Sequence, residues 1–197
     1  MSLRVQTWQG QQISEVFEEL ANLRIQVFKE YPYLYLGSID YEKKYLTRYT
    51  ESELSFLIGV WDQKNLIGAS TAMPLVDEED FIQKPFLENK WDLNQIFYFG
   101  ESLLLPKYRG QGFGNLFFDS RESFALKNQF SVTSFCSVIR PENHALKPLQ
   151  YRPHDEFWKK RGYKKHPELL TEFQWQDTDQ NHETSKQMQF WVKGQSL

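Results

Sequence analysis

Three glycines at alternate positions, Gly110, Gly112 and Gly114, stand between an apolar run and an amphipathic stretch. The run is Leu103-Leu104-Leu105, followed by Pro106-Lys107-Tyr108-Arg109. The stretch begins at Leu116 and continues through Phe117, Phe118, Phe124 and Leu126. Strand, glycine loop and helix in that order form an anion site. The first backbone N–H groups of a helix lack partners and carry partial positive charge. Glycine lets an anionic ligand approach them without a Cβ in the way. The chemistry implied is capture of a phosphate or diphosphate by the amides of Gly110, Gln111, Gly112, Phe113, Gly114 and Asn115, with Arg109 able to add charge. A second group stands out just upstream. Glu101 lies in the otherwise apolar segment Phe97-Tyr98-Phe99-Gly100-Glu101-Ser102-Leu103, where a carboxylate is costly unless it is paired or used.

Three phosphate loops compete for the glycines. A Walker A loop ends in Gly-Lys-Ser/Thr, and Gly114-Asn115-Leu116 supplies neither the lysine nor the hydroxyl. A dinucleotide fingerprint requires glycine at 115 and an acidic residue closing the next strand; Asn115 stands there, and Phe130 to Arg140 holds no Asp or Glu. The third pattern, Arg/Gln-x-x-Gly-x-Gly/Ala, is satisfied by Arg109-x-x-Gly112-x-Gly114. This loop resembles the acetyl-coenzyme A loop of the GNAT N-acetyltransferase superfamily, and Pro106 to Gly110 is similar to its usual lead-in. The later stretch Phe157-Trp158-Lys159-Lys160-Arg161-Gly162-Tyr163 resembles the superfamily's closing motif, Tyr-x-x-x-Gly-Phe. The likeness runs from about Phe97 to Tyr163, with the flanks similar only in layout.

The resemblance implies acetyl-coenzyme A as cofactor, no metal, and direct acetyl transfer to an amine in a ternary complex. It implies that the backbone of Leu103, Leu104 and Leu105 holds the pantetheine arm as a pseudo-strand, with an N–H near Leu104 polarising the thioester carbonyl. It puts Asn143 and Trp158 on the cofactor side and makes Glu101 the candidate base, directly or through water; a structural hydrogen-bonding role for Glu101 is the alternative. One departure weakens the mechanism. The superfamily often carries a tyrosine four residues before the closing glycine, to protonate the leaving thiolate. Trp158 occupies that place, and an indole N–H donates hydrogen bonds without being a usable acid. Tyr151, Tyr163 or solvent are the substitutes.

The acceptor is expected opposite the cofactor, near the first two helices. That region is aromatic, with Tyr31, Tyr33 and Tyr35 followed by Tyr41 and Tyr45. An aromatic cleft suits a small organic amine or a cation, and the same tyrosines would serve equally as core packing. Arg140 could clamp a substrate carboxylate or brace the proline-rich stretch after it. His144 offers an imidazole, as a base or as a surface group. Cys136, in an apolar strand, reads as a small hydrophobe. The rival functions are a catalytically silent acyl-coenzyme A sensor or scaffold on the same fold, and a nucleotide-binding protein using the same loop.

The elements that must position these groups follow from pattern. Strands are predicted at Leu3–Trp8, Ser55–Trp61, Leu66–Leu75, Ile96–Leu105, Ser131–Ile139, Thr171–Trp175 and Gln187–Lys193. Helices are predicted over Ile13–Phe28, Asp40–Tyr49 and Asn115–Lys127, with a closing helix ending at Gly162. Val76–Gln95 reads as a polar excursion with a short helix, and Arg140–Asp155 as an extended connection held by Pro141, Pro148 and Pro153. One α/β (α+β) domain over 1–197 fits, a mixed and mostly antiparallel sheet with helices on both faces. The 197 residues suffice for one core. A net charge of -3 gives nothing for a nucleic-acid backbone, and one cysteine allows no internal disulfide. No apolar run approaches the ~20 residues of a membrane span. A cytoplasmic protein without membrane or nucleic-acid partners is the expectation, its partner a small-molecule or protein amine, with an exposed aromatic face that could support a homodimer.

Overall fold

Short apolar, β-rich runs build seven strands in the computed structural model, which describes residues 3–194. They are β1 (Leu3–Gln9), β2 (Phe56–Asp62), β3 (Asn65–Pro74), β4 (Ile96–Leu104), β5 (Val132–Val138), β6 (Lys164–Trp175) and β7 (Thr184–Lys193). The helices are α1 (Phe17–Phe28), α2 (Ile39–Glu51), α3 (Asp80–Glu88), α4 (Phe113–Lys127) and α5 (Asp155–Lys160). The strands form one sheet in the order β1-β2-β3-β4-β5-β7-β6, antiparallel throughout except where β4 meets β5.

Strand alternation divides the core. Leu57 and Trp61 of β2 pack with Leu20, Leu23 and Leu46 of α1 and α2. Phe56, Ile58 and Val60 of the same strand join Phe117 and Phe118 of α4 on the other side. Likewise Ile96 and Tyr98 of β4 pack with Phe86 of α3, while Phe97 and Phe99 join the α4 cluster. The sheet therefore carries helices on both faces, as expected.

Most boundaries shift by one or two residues; β7 begins at Thr184, three before the expected Gln187, and two further elements differ in kind or extent. The first helix opens as a 3-10 segment over Gly10–Val16 before α1 begins at Phe17. The strand expected at Thr171 starts at Lys164, because Lys164 and Lys165 pair with Val192 and Trp191 before the register shifts ahead of Leu170. A polar stretch containing Pro167 carries no strand signal, yet an edge strand tolerates both proline and an irregularity.

Two features of β4 set up the site. It pairs with β5 only at Ile96–Val132, Phe97–Thr133 and Tyr98–Ser134, and beyond these the two strands separate into a wedge. It also carries a bulge. Ser102 faces Ser70 and Phe99 faces Ala72, so Gly100 and Glu101 together oppose Thr71.

Candidate active site

Side chains complete the pairing that the bulge interrupts. The Glu101 N–H donates to Thr71 Oγ1 (3.3 Å), and its carbonyl accepts from Ser70 Oγ (2.7 Å). Arg121, buried in α4, donates from Nη1 to the carbonyls of Thr71 and Glu101 (both 3.2 Å) and from Nη2 to Ser102 Oγ (2.8 Å). Its guanidinium also lies over the Phe99 ring (4.1 Å). Burial pushes the Arg121 pKa down to about 10. Among the described residues this cation has no carboxylate partner; carbonyl oxygens and ring faces hold it, and it fixes the backbone that aims Glu101.

The Glu101 carboxylate points to the side of the sheet covered by α1 and α2. There Arg24 of α1 pairs through Nη1 with Glu101 Oε1 (2.7 Å) and through Nε with Glu42 of α2. All three side chains are at least nine-tenths buried. Burial opposes charge on Arg24, but the carboxylates of Glu101 and Glu42 outweigh it and hold the guanidinium well above its ordinary pKa. Neither Arg24 Nη1, Glu101 Oε1 nor Glu42 Oε1 has a well-aligned hydrogen bond, so the contact to Glu101 is an ion pair without hydrogen-bond geometry.

Arg24 and Glu101 line a cavity of about 90 Å³ whose walls include Phe28, Tyr33, Tyr35, Tyr41, Tyr45, Tyr98, Cys136, Phe173, Trp175 and Met188. The Tyr45 ring is clasped between the guanidinium groups of Arg24 (4.0 Å) and Arg48 (3.8 Å). Burial pushes the Tyr33, Tyr45 and Tyr98 hydroxyls well above the usual tyrosine range, so they stay protonated. Tyr98 Oη lies 3.1 Å from Cys136 Sγ, and burial raises that thiol to about 12, which suits a packing role.

On the far side of β4 lies the glycine loop. Gly110 and Gly112 have φ of +77° and +89°, conformations costly for any other residue, and Gly112 caps α4 with no side-chain partner. A Cβ on either would meet no heavy atom within 4 Å, so the loop faces open space. Arg109 N–H is bonded to the Pro106 carbonyl, and those of Asn115 and Leu116 to Gly112. The N–H groups of residues 110–114 between them have no protein acceptor among the described residues. The Leu105 N–H donates to the Ile67 carbonyl of β3 (2.9 Å), so by alternation the N–H of Leu104 turns toward the wedge. Loop, wedge and Glu101 thus follow one another along β4.

The remaining expected residues fall in several places. The Leu103 side chain is buried beneath α1, which leaves its backbone role untouched. Arg109 donates from Nε to the Leu104 carbonyl (3.1 Å) and forms a solvent-exposed pair with Glu30 (2.8 Å). Gln111 reaches back to the Lys107 carbonyl (3.4 Å), and Asn115 accepts from Arg161 (3.1 Å). Phe113 packs against the α4-side core. Asn143 is exposed. Trp158 packs on Phe135 and Trp191 (centroids 4.9 and 5.1 Å). Tyr163 is buried, its hydroxyl engaged by Thr133 and Glu122. Tyr33 and Tyr35 line the cavity. Tyr31 does not; it packs on Tyr151 (4.7 Å) and lies 5.8 Å from the His144 ring. His144 Nδ1 accepts from the Leu146 N–H (3.2 Å). Arg140 lies outside the cavity: Nη1 and Nη2 clamp Asp177 (2.7 and 2.9 Å), and Nε and Nη2 serve the carbonyls of Pro32 (2.7 Å) and Tyr33 (2.6 Å). These contacts brace the tyrosine loop. Of the basic residues near α5, Lys159, Arg161 and Lys165 are paired with Glu156, Asp119 and Asp155.

Sequence reasoning missed Arg24 and Glu42. The signal was present. Arg24 lies four residues after Leu20 on an apolar helix face, and Glu42 lies four before Leu46 and seven before Tyr49. Opposite charges on the buried faces of consecutive helices ask for each other.

Among the described residues no helix is long and apolar enough to cross a membrane. No protein-family model matches the chain, and no curated protein matches it. Solved structures do. An N-acetyltransferase from Staphylococcus aureus Mu50 aligns with a TM-score of 0.62 at 8% identity, covering 98% of this chain and 99% of that one. A ribosomal-protein-alanine N-acetyltransferase from Brucella melitensis aligns at 0.60 and 11%, over 99% and 100%. The PaiA N-acetyltransferase from Thermoplasma acidophilum, in complex with coenzyme A, aligns at 0.53 and 13%, over 99% and 100%. The chain has the fold of the GNAT acetyltransferases over nearly its whole length.

Proposed function

We propose that this chain, folded as the GNAT acetyltransferases are, moves an acetyl group from acetyl-coenzyme A to a primary amine of a small molecule by direct transfer in a ternary complex. The observation that carries the reading is the order of features along β4. A buried carboxylate at Glu101, an open wedge beyond Tyr98 and a loop of free amides at residues 110–114 adjoin one another. The residues fit coenzyme A: the glycine loop leaves open space before its amides, and the wedge leaves strand backbone unpaired. When bound, the cofactor supplies the acetyl group as an activated thioester.

The chain's own groups divide the remaining tasks. The amides of residues 110–114 hold a diphosphate. The Leu104 N–H polarises a carbonyl oxygen in the wedge, a donor fixed before reaction and therefore effective. Glu101 takes the amine proton, directly or through a water, while Arg24 and the Arg121-braced bulge fix its position. Tyr151 is the donor for the leaving thiolate; it is half-buried, and burial raises its pKa. Trp158 and Tyr163 are committed to packing.

That commitment also favours a second reading. Without an acid on α5 the chain would bind acyl-coenzyme A without turning it over. Two measurements separate the cases. Coenzyme A, but not ATP or NAD, raises the melting temperature if the loop is a coenzyme A site. Release of free thiol in the presence of an amine panel marks an enzyme; binding without release marks a silent binder.

A further inference from the structure

Arg24 and Glu101 line the cavity, and Glu42, which does not line it, engages Arg24 from α2. Arg24 is thus shared between two carboxylates: its Nη1 faces Glu101 Oε1 at 2.7 Å, and Glu42 Oε1 is buried without a hydrogen bond. The neighbouring Arg48 does not offset this, because it is itself shared between Glu78 and Glu79. An excess buried negative charge is costly unless a further cation is supplied. The walls around it are aromatic; the rings of Tyr45 and Trp175 already carry protein cations, and those of Tyr33 and Tyr35 offer further faces that attract a cation.

From this geometry we propose that the cavity selects a compact organic ammonium ion without a carboxylate, such as an arylalkyl monoamine, with its nitrogen on Glu101 and its apolar body between the tyrosines. The inference rests on the transfer reading above and names its substrate class. An amino acid is refused because its carboxylate would meet Glu101, with Arg24 already taken by Glu101 and Glu42.

Calorimetry on the full chain without cofactor tests this with three probes sharing one body: phenethylamine, 2-phenylethanol and phenylalanine. Phenethylamine is expected to bind at least about tenfold tighter than the other two, a difference of about 1.4 kcal/mol. Glu101→Gln is expected to erase that preference. Equal affinity for the neutral alcohol or for the amino acid, measured on the wild type alone, overturns the proposal whatever the variant's folding. A separate titration with coenzyme A keeps the two readings apart. Coenzyme A binding without amine preference sinks this inference and leaves acetyl transfer standing. Amine preference without coenzyme A binding sinks the transfer reading on which the substrate assignment rests.

Discussion

Gly112→Ala separates the ligand role of the glycine loop from its role in stability. Gly112 has φ +89° and caps α4, and a Cβ there would touch nothing within 4 Å. The structural cost is therefore backbone strain alone, about 1–2 kcal/mol for a non-glycine residue in the left-handed region. For a domain of this size that corresponds to a fall in Tm of roughly 2–8 °C. The cost to ligand binding is separate. Relaxing φ at 112 turns at least one of the free amides of residues 110–114 away from the loop face. A hydrogen bond to a charged group contributes about 1.5–3 kcal/mol, so coenzyme A affinity is expected to weaken about 10- to 150-fold. Gly162→Ala is the control: it has the same φ of +89°, and its Cβ would meet only Lys193 at 3.7 Å. The control is expected to lose similar stability and no affinity. Differential scanning calorimetry and isothermal titration on the three proteins read both quantities. The reasoning is refuted if Gly112→Ala binds within about threefold of wild type, or if Gly162→Ala loses as much affinity.

Other expectations concern the acceptor side and the brace. Glu101→Gln is expected to lower kcat/KM by about 10²- to 10⁴-fold, the usual range for a general base, with coenzyme A affinity retained; wild-type turnover across pH would end that role. Tyr151→Phe should lower kcat about tenfold with less effect on KM, a modest loss because a thiolate leaves readily; an unchanged kcat would remove Tyr151 from the mechanism. Arg140→Met leaves Asp177 buried without its main partner and should cost about 3–5 kcal/mol in a thermal melt. At Asp177 burial acts to raise the pKa, but the hydrogen bonds and charge of Arg140, with Lys186, outweigh it, so the folded pKa lies below the unfolded one. Its stabilisation is therefore present above the unfolded value of about 4 and lost as pH falls through the folded one. Asp177→Asn should flatten the fall of Tm below pH about 4, and an unchanged acid limb would contradict the brace.

The cofactor side was readable in the sequence because it is local. Leu103 to Asn115 is one contiguous stretch, and each step in it, strand, glycine turn, helix start, has its own residue preference. The strands of the hairpin and of β4 were readable for the same reason: they are continuous apolar, β-rich runs, and the hairpin turn is polar. The acceptor side is assembled from α1, α2, β4, β5, β6 and β7, so no window of the chain displays it. Tyr33 and Tyr35 were found by composition, but the same criterion drew in Tyr31, which packs on Tyr151 instead. Arg140 carried the right chemistry for a carboxylate and found one inside the protein, Asp177, 37 residues later in sequence. The bulge at Gly100–Glu101 and its Arg121 brace depend on register between β3 and β4, which a single strand's pattern does not encode.

The amides at the start of α4 are what the whole reading depends on, and titrating coenzyme A into the wild-type chain interrogates them most directly. One molecule bound per chain, with heat abolished or much reduced in Gly112→Ala but not in Gly162→Ala, is the expected result. A well-folded protein that evolves no heat with coenzyme A would contradict it.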